Sequence, residues 1–272
     1  MKNEQRPIGI FDSGIGGLTV ANAIRKVLPH ESFIYFGDTA HLPYGDKSPE
    51  SIRGYALRIT RFLLERRCKA IVIACNTASA HAYKEVVRLC GSEVPVINVI
   101  DPVARHTAER FDHGQVGVIG TKGTIQSRVY VQRIERLNPR LKVISNATPL
   151  LAPMIEEGFF NNQISRTIIR NYLERPNFKK IRAIILGCTH YPLIAREIRE
   201  ITGVDVDIID SARVVAGEVK TVLSARHLLN PSASAPSYRF YVSDKTAAFE
   251  KSTRIFFREQ IKLEKSRIWE RG

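Results

Sequence analysis

Two short apolar stretches constrain this chain more than anything else in it. Ala70-Ile71-Val72-Ile73-Ala74-Cys75-Asn76-Thr77 and Ala183-Ile184-Ile185-Leu186-Gly187-Cys188-Thr189-His190 are each an aliphatic run that ends in small residues, a cysteine and polar groups, at an offset of 188 − 75 = 113. Such a run reads as a buried strand whose carboxyl end opens into a loop. A second pair, Ile8-Gly9-Ile10-Phe11-Asp12-Ser13 and Val116-Gly117-Val118-Ile119-Gly120-Thr121, repeats at 117 − 9 = 108. Two matches in the same order at nearly the same offset predict two α/β halves of similar design. Each half then delivers one cysteine to the carboxyl edge of a parallel sheet, where α/β proteins hold their ligands.

In chain order, the strand at Ile8 runs into Asp12-Ser13-Gly14-Ile15-Gly16-Gly17 and a helix from about Leu18. This strand, glycine turn and helix resembles a dinucleotide site, and Asp38 supplies an acidic residue downstream, but Thr19 stands where the third glycine would be required. What survives is a turn whose backbone amides could approach a small anion, with Asp12 and Ser13 facing the same space. The strand 32–38 leads to His41-Leu42-Pro43-Tyr44-Gly45, a rigid turn that offers Tyr44 to a ligand, and then to a helix over 49–67. The strand ending at Cys75 precedes a helix with Asn76 and Thr77 at its start, where free amides suit a carboxylate.

The proline-bracketed segment 94–102 reads as a crossing between halves, and the chain crosses back near Asp210, giving 1–97 with 210–272 and, separately, 98–209. In the second half, 142–145 is a strand, 149–157 a loop entering a helix that ends in Glu156-Glu157, 162–175 a helix, and 204–210 the last strand. Ser211 reads as the cap of a helix to about 228. After a loop at 230–237, the segment 238–243 reads as an edge strand and 246–268 as one or two basic helices.

Composition excludes several classes. The 272 residues are 44% hydrophobic, enough for a real core, and no apolar run approaches the ~20 residues that span a bilayer. The amino terminus carries no apolar segment of the signal-peptide kind, which predicts a cytoplasmic protein. Four cysteines without a C-x-x-C pair then read as reduced thiols, with Cys68 and Cys90 structural. The net charge of +14 raises nucleic acid as a partner, but basic residues lie in scattered clusters, the longest from Lys262 to Arg271, without interleaved aromatics. Specific nucleic-acid binding is not expected.

The chemistry suited to two opposed thiols is narrow. Nucleophilic catalysis needs one, and a metal would want a denser set of ligands than Cys75, Cys188 and His190. Racemisation needs an acid and a base on opposite faces of a stereocentre, and a free thiol titrates at ~8.5, close enough to neutrality for one thiol and one thiolate to coexist. Asp12, His190 and Glu156 are candidates for tuning the pair.

The stretches 11–17, Gly37-Asp38 with Pro43-Tyr44-Gly45, Cys75-Asn76-Thr77, 117–121, 186–192 and Asp210-Ser211-Ala212 together resemble the cofactor-independent aspartate/glutamate racemase family, along essentially the whole chain. The resemblance implies two α/β domains with parallel-sheet cores related by a pseudo-two-fold axis and a site between them. It implies interconversion of L- and D-glutamate for peptidoglycan precursor synthesis, with no metal, nicotinamide or pyridoxal phosphate. Cys75 would act on D-glutamate and Cys188 on L-glutamate. Asp12, Ser13, Tyr44, Gly45, Asn76, Thr77, Thr189 and His190 would line the substrate with Thr121 nearby, and Glu156 would lie beside the second cysteine. Homodimers are also implied. His41, Asn98 and Asp101 depart from the residues usual in the family at those positions. The alternatives are an aspartate or other amino-acid racemase of the same family, or a basic regulatory protein binding an acidic partner.

Overall fold

The computed structural model describes residues 3–232, 234–257 and 259–270. Within the stretches read from the sequence, residues 1, 2, 233, 258, 271 and 272 lie outside them. The strands are β1 Ile8–Asp12, β2 Phe33–Gly37, β3 Ala70–Ile73, β4 Val96–Asn98, β5 Gly114–Gly120, β6 Leu141–Ala147, β7 Ile181–Gly187, β8 Asp207–Ile209, β9 Tyr238–Val242 and β10 Leu263–Lys265. The helices are α1 Leu18–Val27, α2 Pro49–Glu65, α3 Asn76–Cys90, α4 Ile100–Arg110, α5 Lys122–Gln126, α6 Val129–Leu137, α7 Leu151–Glu156, α8 Gln163–Leu173, α9 Ala195–Thr202, α10 Ser211–Ala225 and α11 Ala247–Phe257.

Two sheets form, ordered β10-β9-β2-β1-β3-β4 and β6-β5-β7-β8, and every strand pair in them is parallel. The order β2-β1-β3-β4 is the order β6-β5-β7-β8. The repeats seen in the sequence therefore occupy equivalent places: β1 and β5 are central, and β3 and β7, which lead to the two cysteines, lie beside them. Strands buried on both faces must be predominantly apolar, and β1, β2 and β3 are, with Asp12 at the end of β1 the exception. Their residues alternate between two cores: Ile8, Ile10, Phe33, Tyr35 and Val72 pack with α1 and α10, while Phe11, Ile34, Phe36, Ile71 and Ile73 pack with α2 and α3. The first of these cores continues into the second sheet through Val116, Val118, Ile184 and Ile185, so one apolar mass joins the two halves.

The structure corrects three details. The segment 238–242 is not at an edge, because β10 adds to it on the outer side. The tail is accordingly one helix, α11, followed by a strand rather than helices alone. Asp210, not Ser211, caps α10 by accepting from the Ala212 amide at 2.9 Å, while the Ser211 hydroxyl donates to the Leu186 carbonyl. Asn98 and Asp101 partner one another: the Asn98 amide donates to Asp101 at 2.8 Å, and its oxygen receives the Ile100 and Asp101 backbone amides at the start of α4. Arg133 of α6 pairs with Asp101 at 3.0 Å, tying the crossing segment to the second half. Among the described residues no helix is long and apolar enough to cross a membrane.

Candidate active site

A cavity of about 230 Å³ opens between the carboxyl ends of the two sheets. The first half lines it with Ser13, the run Leu42 to Gly45, and Cys75, Asn76 and Thr77. The second lines it with Thr121, Ala152, Pro153, Glu156 and the run Gly187 to His190. Every site residue expected from the sequence is on this wall except Asp12, which is fully buried.

Each cysteine is placed by the end of its strand. β3 stops at Ile73, and Cys75 becomes the N-cap of α3, its sulfur accepting the Ala78 amide at 3.4 Å with the Ser13 hydroxyl at 3.7 Å. Burial pushes the Cys75 thiol up to about 12, and the Asp12 carboxylate adds to the rise, so this sulfur is protonated at neutral pH. Cys188 follows β7 and meets a different neighbour. The His190 Nδ1 lies 3.5 Å from its sulfur, and the other ring nitrogen lies 2.8 Å from Glu156 at the end of α7. Burial alone would push the imidazole down. The Cys188 sulfur and the Glu156 carboxylate outweigh it and raise His190 well above the ordinary histidine value. Glu156 thus lies one residue removed from Cys188, reaching it through the imidazole.

The glycine turn has a different use from the expected one. The Gly14 amide donates to Asp12 Oδ2 at 3.1 Å, and the Gly17 amide also lowers the Asp12 value. The group held by the turn is therefore the chain's own carboxyl, which lies off the cavity wall. Burial still raises the Asp12 carboxyl above the usual range, against the charge of His190 and these amides. Its Oδ1 has no hydrogen-bond partner among the described residues. The glycines are needed for close approach: a Cβ at Gly16 would lie 2.4 Å from His190 Cε1, and one at Gly17 would lie 2.5 Å from Asp12 Cβ.

Polar contacts across the halves define the floor. The Thr77 hydroxyl meets those of Thr121 at 2.8 Å and Thr124 at 3.2 Å. Tyr130 of α6 donates to Asn76 Oδ1 at 2.8 Å, leaving the buried Asn76 Nδ2 without a partner among the described residues. Gly45 packs on Thr121, where a Cβ would come within 2.7 Å. The Thr189 hydroxyl reaches the His190 ring at 3.4 Å. Tyr44 points its hydroxyl away from the cavity to Asp38 at 2.6 Å. Sequence reading missed Ala152 and Pro153 on the wall and Tyr130 behind Asn76; none carries a local pattern, and only the folded chain brings them here. Cys68 and Cys90 are buried free thiols outside the cavity, and no group of three or more metal-ligating side chains is assembled among the described residues.

Comparison with known proteins places this geometry. The model of a family described as Asp/Glu/Hydantoin racemase matches residues 18–219. A protein of Geobacter metallireducens named glutamate racemase is 45% identical over 244 residues, covering 90% of each chain. Among solved structures, glutamate racemase from Francisella tularensis in complex with D-glutamate superposes with a TM-score of 0.90 at 40% identity, covering 97% of this chain and 98% of that one. An isoform from Bacillus anthracis gives 0.91 at 37% identity over the same shares. With the fold, the paired cysteines and these relatives in agreement, the chain belongs to the Asp/Glu/Hydantoin racemase family of enzymes.

Proposed function

We propose that this chain interconverts L- and D-glutamate by direct proton transfer at Cys75 and Cys188, with no metal, nicotinamide or pyridoxal phosphate, and so supplies D-glutamate for peptidoglycan precursor synthesis. The observation that carries the reading is the unequal setting of two thiols, one from each sheet, in one small cavity. Similarity to proteins named glutamate racemase, one of them bound to D-glutamate, supports the substrate.

In this reading Cys188 takes the α-proton of L-glutamate. An imidazolium N–H from His190 beside its sulfur, backed by Glu156, is the arrangement that readies a sulfur as a base. Cys75, held as a thiol, returns a proton to the opposite face. The Ala78 amide and the Ser13 hydroxyl support the sulfur charge that remains, while Asp12 opposes it and so keeps Cys75 a thiol until the substrate carbon takes its proton. From D-glutamate the two sulfurs exchange roles. The free Asn76 amide and the positive end of α3 suit a substrate carboxylate, and the Thr77, Thr121 and Thr189 hydroxyls complete its surroundings. Gly45 and Tyr44 shape the wall. The halves are taken as 1–97 with 210–272, and 98–209.

The test is racemisation of L-glutamate in D2O without added cofactor, sampled early. D-glutamate should carry deuterium at the α-carbon almost completely, while unreacted L-glutamate stays protonated, because the arriving proton comes from a thiol already exchanged with solvent. Cys75→Ala and Cys188→Ala should each abolish turnover in both directions. Protium retained in early product, or a single-cysteine variant with near-normal turnover, would refute the scheme. Faster turnover of aspartate than glutamate would replace the substrate.

A further inference from the structure

The cavity wall from Leu42 to Gly45 is a loop, and its support comes from the far end of the chain. Asp38, at the loop's start, is fully buried and receives the Tyr44 hydroxyl at 2.6 Å, with His41 Nδ1 at 2.9 and 3.1 Å from its two oxygens. The loop therefore folds around one shared carboxylate. His41 is in turn sandwiched: its ring stacks on Tyr55 of α2 at 4.3 Å and 24°, and Trp269 meets it edge-on at 4.5 Å and 72°. Trp269 also contacts Tyr55 at 5.5 Å, and Arg58 lies 5.2 Å from the indole ring. On the loop's other flank, the Thr39 hydroxyl donates to the Asp244 carbonyl, and the Ala40 amide to the Ser243 hydroxyl at 2.9 Å.

We infer that Trp269 is a positioning residue for the substrate cavity, acting through His41 and Asp38 to hold Tyr44 and the wall that carries it. The inference rests on the reading of this cavity as the glutamate site. Trp269 is not part of the cavity lining, so it can reach the substrate only by way of the loop. Neither cysteine lies in that loop. Loosening it degrades the fit of the substrate more than the movement of the proton, so the expected signature is a rise in KM with kcat nearly preserved. Because Trp269 acts through His41, removing the tryptophan after His41 is already gone should add little.

Trp269 is the single tryptophan of the chain, so selectively excited tryptophan emission reports on its surroundings. Wild-type turnover of glutamate is measured first, and its absence would refute the reading of the site rather than this inference. With turnover present, Trp269→Ala should raise KM for D-glutamate at least fivefold with kcat within twofold, and Trp269→Phe should restore KM to within twofold. The double variant His41→Ala with Trp269→Ala should resemble His41→Ala. Titration with D-glutamate should change the tryptophan emission of the wild type, and His41→Ala should remove that change. A Trp269→Ala enzyme with unaltered KM overturns the inference even if it melts at lower temperature. So does a double variant whose losses multiply. Should Trp269→Ala fail to fold, the emission titration decides: no change in the wild type, or an undiminished change in His41→Ala, overturns the inference.

Discussion

At Cys188 the decisive neighbour is two residues along the chain and the next is thirty-two back, and the difference shows in what the sequence could convey. His190 was legible because a strand end places consecutive residues in one loop. Glu156 is nameable from the sequence as a candidate tuning group, but its place against the imidazole is set by the packing of α7, and that of Trp269 by the path of the tail. Asp12 was recognised but misplaced, since nothing local says that the turn's amides will claim it. Glu156→Gln tests the residue that the packing supplied. Glu156 is one of the groups that raise His190, so its loss lowers the imidazole value. The alkaline limb of L-glutamate turnover should then move to lower pH, with kcat/KM reduced roughly ten- to hundredfold. A group raised on folding stabilises most below its unfolded value, ~6.5 for histidine, and the benefit is lost as pH rises through the folded value. Thermal melts should accordingly show the variant destabilised near pH 6, with the gap to wild type closing in alkaline buffer.

Among elements, the ones that could be read were those with an unbroken apolar run: β1, β3, β5 and β7 followed from their aliphatic residues and from their repeat. β10 could not be, because Lys262-Leu263-Glu264-Lys265 has one apolar side chain and no alternation; its extended form comes from pairing with β9. Without β10 in view, β9 reads as an edge. The glycine turn between β1 and α1 illustrates the opposite situation, a feature visible in sequence whose purpose only tertiary contact reveals. Gly16→Ala should leave the sheets intact and displace His190, destabilising the fold by about 1–3 kcal/mol and reducing turnover more than a hundredfold. Gly54→Ala in α2 is the control. No atom lies within 4 Å of its added methyl, so it should stabilise by about 0.5–1 kcal/mol and leave turnover unchanged. Circular dichroism, melting and glutamate turnover on the two variants check both outcomes.

Across the whole molecule, two halves of one strand order meet at a cavity to which each contributes a sulfur, and a continuous apolar core keeps them in register. The charge of +14 belongs to this scale as well, since it draws anions from solution without choosing among them. Added sodium chloride should therefore lower kcat/KM for glutamate by screening. In a solution crowded with phosphate esters, such attraction would be a liability if a strand, glycine turn and helix stood open beside the thiols. Here the berth is already taken: the Gly14 amide holds Asp12 of the same chain. Inorganic phosphate should consequently slow turnover only as far as any salt of equal ionic strength, with no competitive component against glutamate. By lodging an internal carboxyl where other proteins admit a phosphate, the chain closes that one berth while its surface stays strongly basic.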